Sequence, residues 1–186
     1  MNWYAGAIPA FIALIFIVLS QIAKGETLQD QGWRVDNVPK AFFLLVPPML
    51  LGAVVLLMIG WLCGSLRMGA IILDFRLIWT FLALFIWGLT QQYPLQAFIN
   101  RRAQMIWGTG TASVVFTAAV FASLHFPNTG LMAATFFGGL MWAYVYQRTP
   151  NLWLLALSHA LMTSVLVLTA PYAVLHRLRV GYNYFR

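Results

Sequence analysis

Six polar side chains interrupt apolar stretches of this 186-residue chain, and their chemistry makes them the first candidates for a functional role. They are Gln91, Gln92 and Gln96, then His125, and finally His159 with Thr163. An imidazole can accept a proton, donate a hydrogen bond or bind a metal, whereas a glutamine amide forms hydrogen bonds but does not take up a proton. The set therefore offers two histidines suited to acid–base or metal chemistry, and amides that can position a group without activating it.

The composition indicates what kind of fold holds these residues. The chain is 62% hydrophobic and only 8% charged, and its mean hydropathy is +0.81, which lies outside the range of ordinary soluble domains. A bilayer core ~30 Å thick is crossed by about 20 helical residues. We therefore predict an all-α, polytopic membrane helix bundle with about six transmembrane helices, embedded in a lipid bilayer.

Apolar runs, prolines and polar turns divide the chain into segments. The predicted crossings are residues 3–23, 41–62, 77–100, 111–126, 131–147 and 151–168. Residues 63–76 are too short and too charged to cross, so we expect a short interfacial or re-entrant helix there. These segments give three parts, which are the N-terminal helices with a polar loop (1–76), the core helices (77–170) and a basic, aromatic interfacial tail (171–186).

Charged residues are few, and the acids are confined to the first half of the chain. Glu26, Asp30, Asp36 and Asp74 are the only acidic side chains, and the formal net charge is +7. Basic residues cluster where predicted helix ends meet lipid headgroups, so we interpret them as membrane anchors and expect no nucleic-acid partner. The lone Cys63 excludes an internal disulfide. Basic residues are shared almost evenly between the two predicted membrane sides, so they do not define an orientation.

The spacing along the predicted helices tests whether the polar residues can meet. At ~1.5 Å per residue, Gln91 lies about 15 Å from Arg101 and His159 about 16 Å from Arg148, on the same predicted side. His125 would lie ~20 to 30 Å from that side, so it joins them only if its helix starts late or tilts. Taken singly, each polar residue is also compatible with a simple hydrogen bond between helices, and Thr163 with a bond to its own backbone.

Two segments carry a more specific pattern. "FASLHFPN" contains Phe121 and His125, and "GLMWAYVYQRTPNLWLLALSHAL" leads from a glycine-rich helix through a turn to His159. Their order and spacing resemble the CPBP family of intramembrane proteases, also called Abi, which includes CAAX-processing and bacteriocin-processing enzymes. That family carries Glu-Glu-x-x-x-Arg-Gly, then Phe-x-x-x-His, then His-x-x-x-Asn. On "QQYPLQAFINRR" the first motif falls on Gln91, Gln92, Gln96 and Ala97, and the final asparagine falls on Thr163.

The resemblance implies an intramembrane endopeptidase in which a glutamate and the histidines activate a water, but glutamine cannot accept the proton. We therefore predict a multi-pass pseudoprotease, located in a bacterial inner membrane. We expect it to bind other membrane helices as a structural or binding subunit and to require no cofactor. An engineered Glu-to-Gln exchange would explain Gln91 and Gln92 only. Changes at Gln96, Ala97 and Thr163 favour inherited loss.

Two alternatives remain open at this point. The chain could be a working endopeptidase that uses His125 or His159 as its base, with Asp74 as a substitute acid. It could also hold a metal, haem or pigment through His125 and His159, because neutral imidazole ligates all three.

Overall fold

The structure is a computed structural model that describes residues 4–67 and 75–185. Over these residues the chain is helical and has no strand, which confirms the predicted all-α class. The main helices are α1 (Tyr4–Ala23), α2 (Val38–Leu62), α3 (Phe75–Gln92), α4 (Arg101–Trp107), α5 (Thr111–Ser123), α6 (Thr129–Arg148) and α7 (Leu152–Thr169). The short α8 (Tyr172–Leu175) and two 3₁₀ turns (His176–Leu178, Gly181–Phe185) follow. Half of the predicted interfacial helix, residues 68–74 with Asp74, falls outside the described residues.

Two of the helices in the described ranges, α2 and α7, are long and apolar enough to cross a membrane. Only 6% of the most apolar 18-residue window of α2 is buried by the rest of the protein, against 39% for α7. Helix α2 is therefore peripheral, and α7 lies inside the bundle. Length and composition do not establish the other four predicted crossings, since the apolar segments Ile8–Ala23 and Thr111–Ser123 are shorter.

The third predicted helix is longer than expected. Its predicted end at residue 100 is wrong, because helix continues from α3 through a π-helical segment, Tyr93–Asn100, into α4 and ends at Trp107. Pro94 has no N–H to donate to the carbonyl one α-turn earlier, and a π-helix is one way in which a helix passes such a position. The widened turns begin directly after Gln92, at the centre of the predicted motif.

Small residues bring the core helices close together. A Cβ on Gly88 of α3 would lie 2.9 Å from the Ala156 carbonyl oxygen of α7, so only glycine allows this approach. Likewise, a Cβ on Gly139 of α6 would lie 2.9 Å from Ala118 Cα of α5. The first contact sets Gln92, one turn beyond Gly88, against α7. The second sets Trp142 of α6 near the end of α5.

The connections gather at the two ends of the bundle. At one end, the loop of residues 24–37 lies on the turn between α6 and α7, where Asn37 Nδ2 donates to the Pro150 carbonyl at 2.9 Å. At the other end, the tail after α7 folds onto the turn between α5 and α6. There the Gly181 N–H donates to the Phe126 carbonyl at 2.8 Å, and the Asn128 side chain donates to the Leu175 carbonyl at 2.8 Å.

Candidate active site

The second glutamine of the pair contacts the last histidine. Gln92 Nε2 lies 3.1 Å from His159 Nδ1, and both side chains are buried. The indole of Trp142 stacks on the imidazole of His159, with 4.7 Å between ring centroids and 14° between planes. Trp142 is itself fixed by a 2.8 Å hydrogen bond from Nε1 to Ser158 Oγ. His159 is therefore held by an amide on one nitrogen and by an aromatic ring on its face.

His125 joins the same site through Phe121. The Phe121 ring centroid lies 5.0 Å from that of His125 and 6.0 Å from that of His159. His125 Nδ1 lies 2.8 Å from the Phe121 carbonyl oxygen. A carbonyl can only accept, so Nδ1 carries the proton, and Nε2 of the neutral ring keeps its lone pair.

The depth mismatch expected for His125 disappears because the turn before α5 comes later than predicted. The helix from Gln92 to Trp107 and the stretch from Thr111 to His125 each span ~20 Å along the bundle. Both residues therefore lie at a similar distance from the turn at residues 108–110.

A cavity of about 300 Å³ opens beside the histidines. Gln91 and His125 are among its polar lining residues, while Gln92 and His159 lie behind it in the core. Apolar side chains supply most of the wall, and Val180 of the C-terminal tail closes one side. The full lining is Trp87, Thr90, Gln91, Pro94, Leu95, Ile99, Phe121, Leu124, His125 and Val180.

The remaining predicted motif positions lie near this centre without entering the cavity wall. Gln96 is completely buried, and its Oε1 accepts a 2.8 Å hydrogen bond from Asn100 Nδ2. Ala97 is buried, and its carbonyl accepts from Gln21 Nε2 at 2.9 Å. Thr163 is half-buried on α7, one turn beyond His159. The structure thus brings together Gln91, Gln92, His125 and His159 and leaves Thr163 at the side.

Sequence reasoning missed a partly buried amide network that continues from Gln96. Asn100 Oδ1 accepts from Gln104 Nε2 at 3.2 Å and from Gln147 Nε2 at 3.0 Å. A sequence signal for this network was available, because amide side chains recur every four residues on one helix face, at positions 92, 96, 100 and 104. Trp142 and Val180 carry no such signal, because an aromatic or aliphatic residue in an apolar segment looks like ordinary packing.

The carboxylates in the described part of the chain lie in the loop of residues 24–37. Glu26 is paired with Arg102, and its Oε2 lies 3.5 Å from Arg101 Nε. Asp30 accepts hydrogen bonds from the Thr27 hydroxyl and N–H, which lower the pKa of its carboxyl group. The pKa of Asp36 is lowered by its hydrogen bond with Arg34. Arg101 and Arg102 follow Gln92 by ~15 Å of helix, so Glu26 pairs with arginines far from the histidines.

The described residues contain no group of three or more histidine, cysteine or acidic side chains that could hold a metal ion.

A family model described as type II CAAX prenyl endopeptidase Rce1-like matches residues 73–165, which is half of the chain. The chain belongs to this family. The match confirms the predicted relationship to CAAX-processing enzymes, and it contains all of the glutamines and histidines of the site. The Rce1-like family is membrane-embedded, and the apolar helices α2 and α7 fit that setting. No curated protein and no solved structure matches the chain.

Proposed function

We propose that this chain is a non-proteolytic Rce1-like protein that acts as a binding or structural subunit of a membrane complex. The observation that carries the proposal is the contact between the Gln92 amide and His159 Nδ1. The family motif has a glutamate at position 92, which could accept a proton and raise the basicity of a histidine. An amide does neither, so water near this histidine is positioned without being activated.

The arrangement of the connections supports six crossings in a multi-pass protein, with the bacterial inner membrane as the location that the resemblance implies. In the part of the chain that the structure describes, successive connections alternate between the two ends of the bundle, as an up-and-down arrangement requires. Residues of α1 and α2 expose many large apolar side chains, including Phe11, Phe16, Phe43 and Leu51. In a bilayer these faces are available to lipid tails and to helices of a partner.

A cleavage assay tests the loss of proteolysis. The purified chain is incubated with a farnesylated peptide that ends in a CAAX sequence, beside an active Rce1-like enzyme in the same detergent. Removal of a general base costs ~10²- to 10⁴-fold in rate, so we expect turnover at least ~10² below that of the active relative. Turnover that matches the relative, and that disappears in a His125→Gln variant, would overturn the proposal.

Purification in mild detergent tests the subunit role. We expect the chain extracted from its native membrane to migrate with a defined membrane partner, and that partner to dissociate when exposed apolar residues such as Phe11 and Phe43 are changed to serine. A monodisperse chain that is alone after mild extraction and chemical cross-linking would count against this role.

A second candidate, a slow endopeptidase, is supported by one observation. The hydrogen bond from His125 Nδ1 to the Phe121 carbonyl leaves Nε2 with a free lone pair in a residue that lines the cavity. His125 could then act as a base without a carboxylate partner. The cleavage assay separates the two candidates, because slow turnover that depends on His125 but not on Gln92 is expected only for the second.

A further inference from the structure

Two backbone groups define which end of the Gln147 amide and of the Asn100 amide is oxygen and which is nitrogen. The Gly110 N–H can only donate, and it lies 2.9 Å from Gln147 Oε1. The Ala143 carbonyl can only accept, and it lies 3.2 Å from Asn100 Nδ2. Because side-chain amides are otherwise ambiguous, these contacts fix the orientations of Gln147 and Asn100 independently of each other.

The fixed orientations pass to the next amide. Gln147 Nε2 donates to Asn100 Oδ1 at 3.0 Å, and Asn100 Nδ2 donates to Gln96 Oε1 at 2.8 Å. Gln96 must therefore present its oxygen to Asn100 and keep its N–H groups for another partner. All donation in this series runs from the turn between α4 and α5 towards Gln92.

The series has one gap, and the atoms on its two sides are complementary. Four buried side-chain atoms of the described residues have no hydrogen-bond partner, namely Glu26 Oε2, Gln92 Oε1, Gln96 Nε2 and Arg101 Nε. Glu26 and Arg101 form an ion pair with each other at 3.5 Å. This leaves an acceptor on Gln92 and a donor on Gln96, four residues apart on one helix, in side chains that are 0% exposed.

We propose that Gln147, Asn100, Gln96 and Gln92 form a one-directional amide relay that holds His159 in its Nε2–H tautomer. Gln96 Nε2, which has no other partner, donates directly to Gln92 Oε1 when the two amides turn towards each other. Gln92 Nε2 must then donate to His159 Nδ1, which places the proton of the neutral ring on Nε2. The opposite orientation of Gln92 would turn two amide N–H groups towards each other and leave a buried donor unpaired, at a cost of ~1 to 3 kcal/mol.

The relay gives the two histidines opposite roles. His125 carries its proton on Nδ1 and offers a lone pair at Nε2, whereas His159 offers an N–H at Nε2. His159 in this tautomer cannot take a proton or bind a metal through Nε2, and it is suited to donate to an oxygen acceptor. Gln96 and Asn100 are positioning residues in this scheme. The inference holds whether or not the chain cleaves peptides.

Nitrogen NMR of the full chain, labelled with ¹⁵N-histidine and embedded in lipid nanodiscs, tests the relay. Signals are assigned with His125→Gln and His176→Gln variants. We expect His159 to show a protonated Nε2 and an unprotonated Nδ1 as one species. A native His159 with its proton on Nδ1, or with both tautomers populated, would overturn the proposal without any mutation of the relay.

Two variants test the relay itself. Gln96→Met removes the donor that orients Gln92, so we expect the second His159 tautomer to become detectable. Gln104→Met is the matched control, because Gln147 still donates to Asn100 Oδ1 and the single tautomer should persist. If Gln96→Met keeps the native pattern, or if Gln104→Met changes it equally, the relay is refuted.

Discussion

At the scale of single residues, this site has lost all three charges of its family motif, which are two glutamates and an arginine. Gln92 stands where a glutamate is expected, and Gln96 stands where an arginine is expected. Removing one member of a buried ion pair leaves an unpaired charge and costs ~3 to 5 kcal/mol, whereas replacing both members can be neutral. The joint exchange therefore leaves a buried set of amides that needs no counter-charge.

The charged residues that remain are used elsewhere, and Glu26 is the clearest case. Its side chain is only 4% exposed and contacts both Arg101 and Arg102. We expect Glu26→Gln to destabilise the protein by about 3 kcal/mol, because two partly buried guanidinium groups would lose their carboxylate. Thermal unfolding in detergent, followed by helical circular dichroism, measures the change.

Asp36→Asn provides the matched control for this prediction. Its ion pair with Arg34 is exposed to solvent, and such pairs contribute little. We expect no measurable shift in its unfolding temperature. An equal shift in both variants would mean that the network of Glu26 stabilises the loop no more than a surface pair does.

Gln91, Gln92, His125 and His159 stand out in the sequence because polar residues are rare in apolar helices, and the structure places them close together. The sequence did not reveal that Asn100 and Gln147 orient Gln96. The contact between Asn100 and Gln147 joins residues that are 47 positions apart in the chain. Such a contact depends on the rotation of α6 against the π-helical segment, and helical spacing on one helix does not determine that rotation.

At the scale of helices, the error in the third span has a clear origin. Arg101 and Arg102 were expected to mark a membrane interface and therefore a helix end. In the structure they pair with Glu26, and helix continues to Trp107, where Gly108 ends it with a positive φ of 74°. Glycine adopts this conformation easily and often ends helices, so Gly108 was the better stop signal.

The close approach of α5 and α6 depends on Gly139. An added Cβ would lie 2.9 Å from Ala118 Cα and 3.5 Å from Phe121, the ring that joins the two histidines. We expect Gly139→Ala to destabilise the protein by about 1 to 3 kcal/mol, because backbone must move to relieve the overlap. The same unfolding measurement reports it.

Gly52→Ala in α2 is the control for this effect. Its added Cβ would meet only Met162 Cε, at 3.3 Å, and that flexible end can move. Alanine also favours helix over glycine by ~0.5 to 1 kcal/mol, so the control should be neutral or more stable. The packing explanation fails if Gly139→Ala is as stable as Gly52→Ala.

At the scale of the whole molecule, the site exists only because helices distant in the chain converge. Gln92 lies at the end of α3, His125 follows α5, Trp142 is on α6 and His159 is on α7. The tail contributes Val180 to the cavity wall. This convergence requires α3, α5, α6 and α7 to run alternately up and down. The geometry of the site therefore predicts that each of these helices crosses the membrane.

Cysteine labelling in sealed vesicles distinguishes six crossings from the two that helix length alone supports. Single cysteines replace the exposed residues Leu28, Thr109 or Asn183 in a Cys63→Ser background, and a membrane-impermeant maleimide reports their side. With six crossings, we expect residues 28 and 109 on one side and residue 183 on the other. If only α2 and α7 cross, residues 28 and 183 share a side and residue 109 lies opposite. Cys63 of the unmodified protein serves as the reference, because α2 separates it from residue 28 in both arrangements. The two-crossing pattern would rule out the alternating bundle on which the site depends.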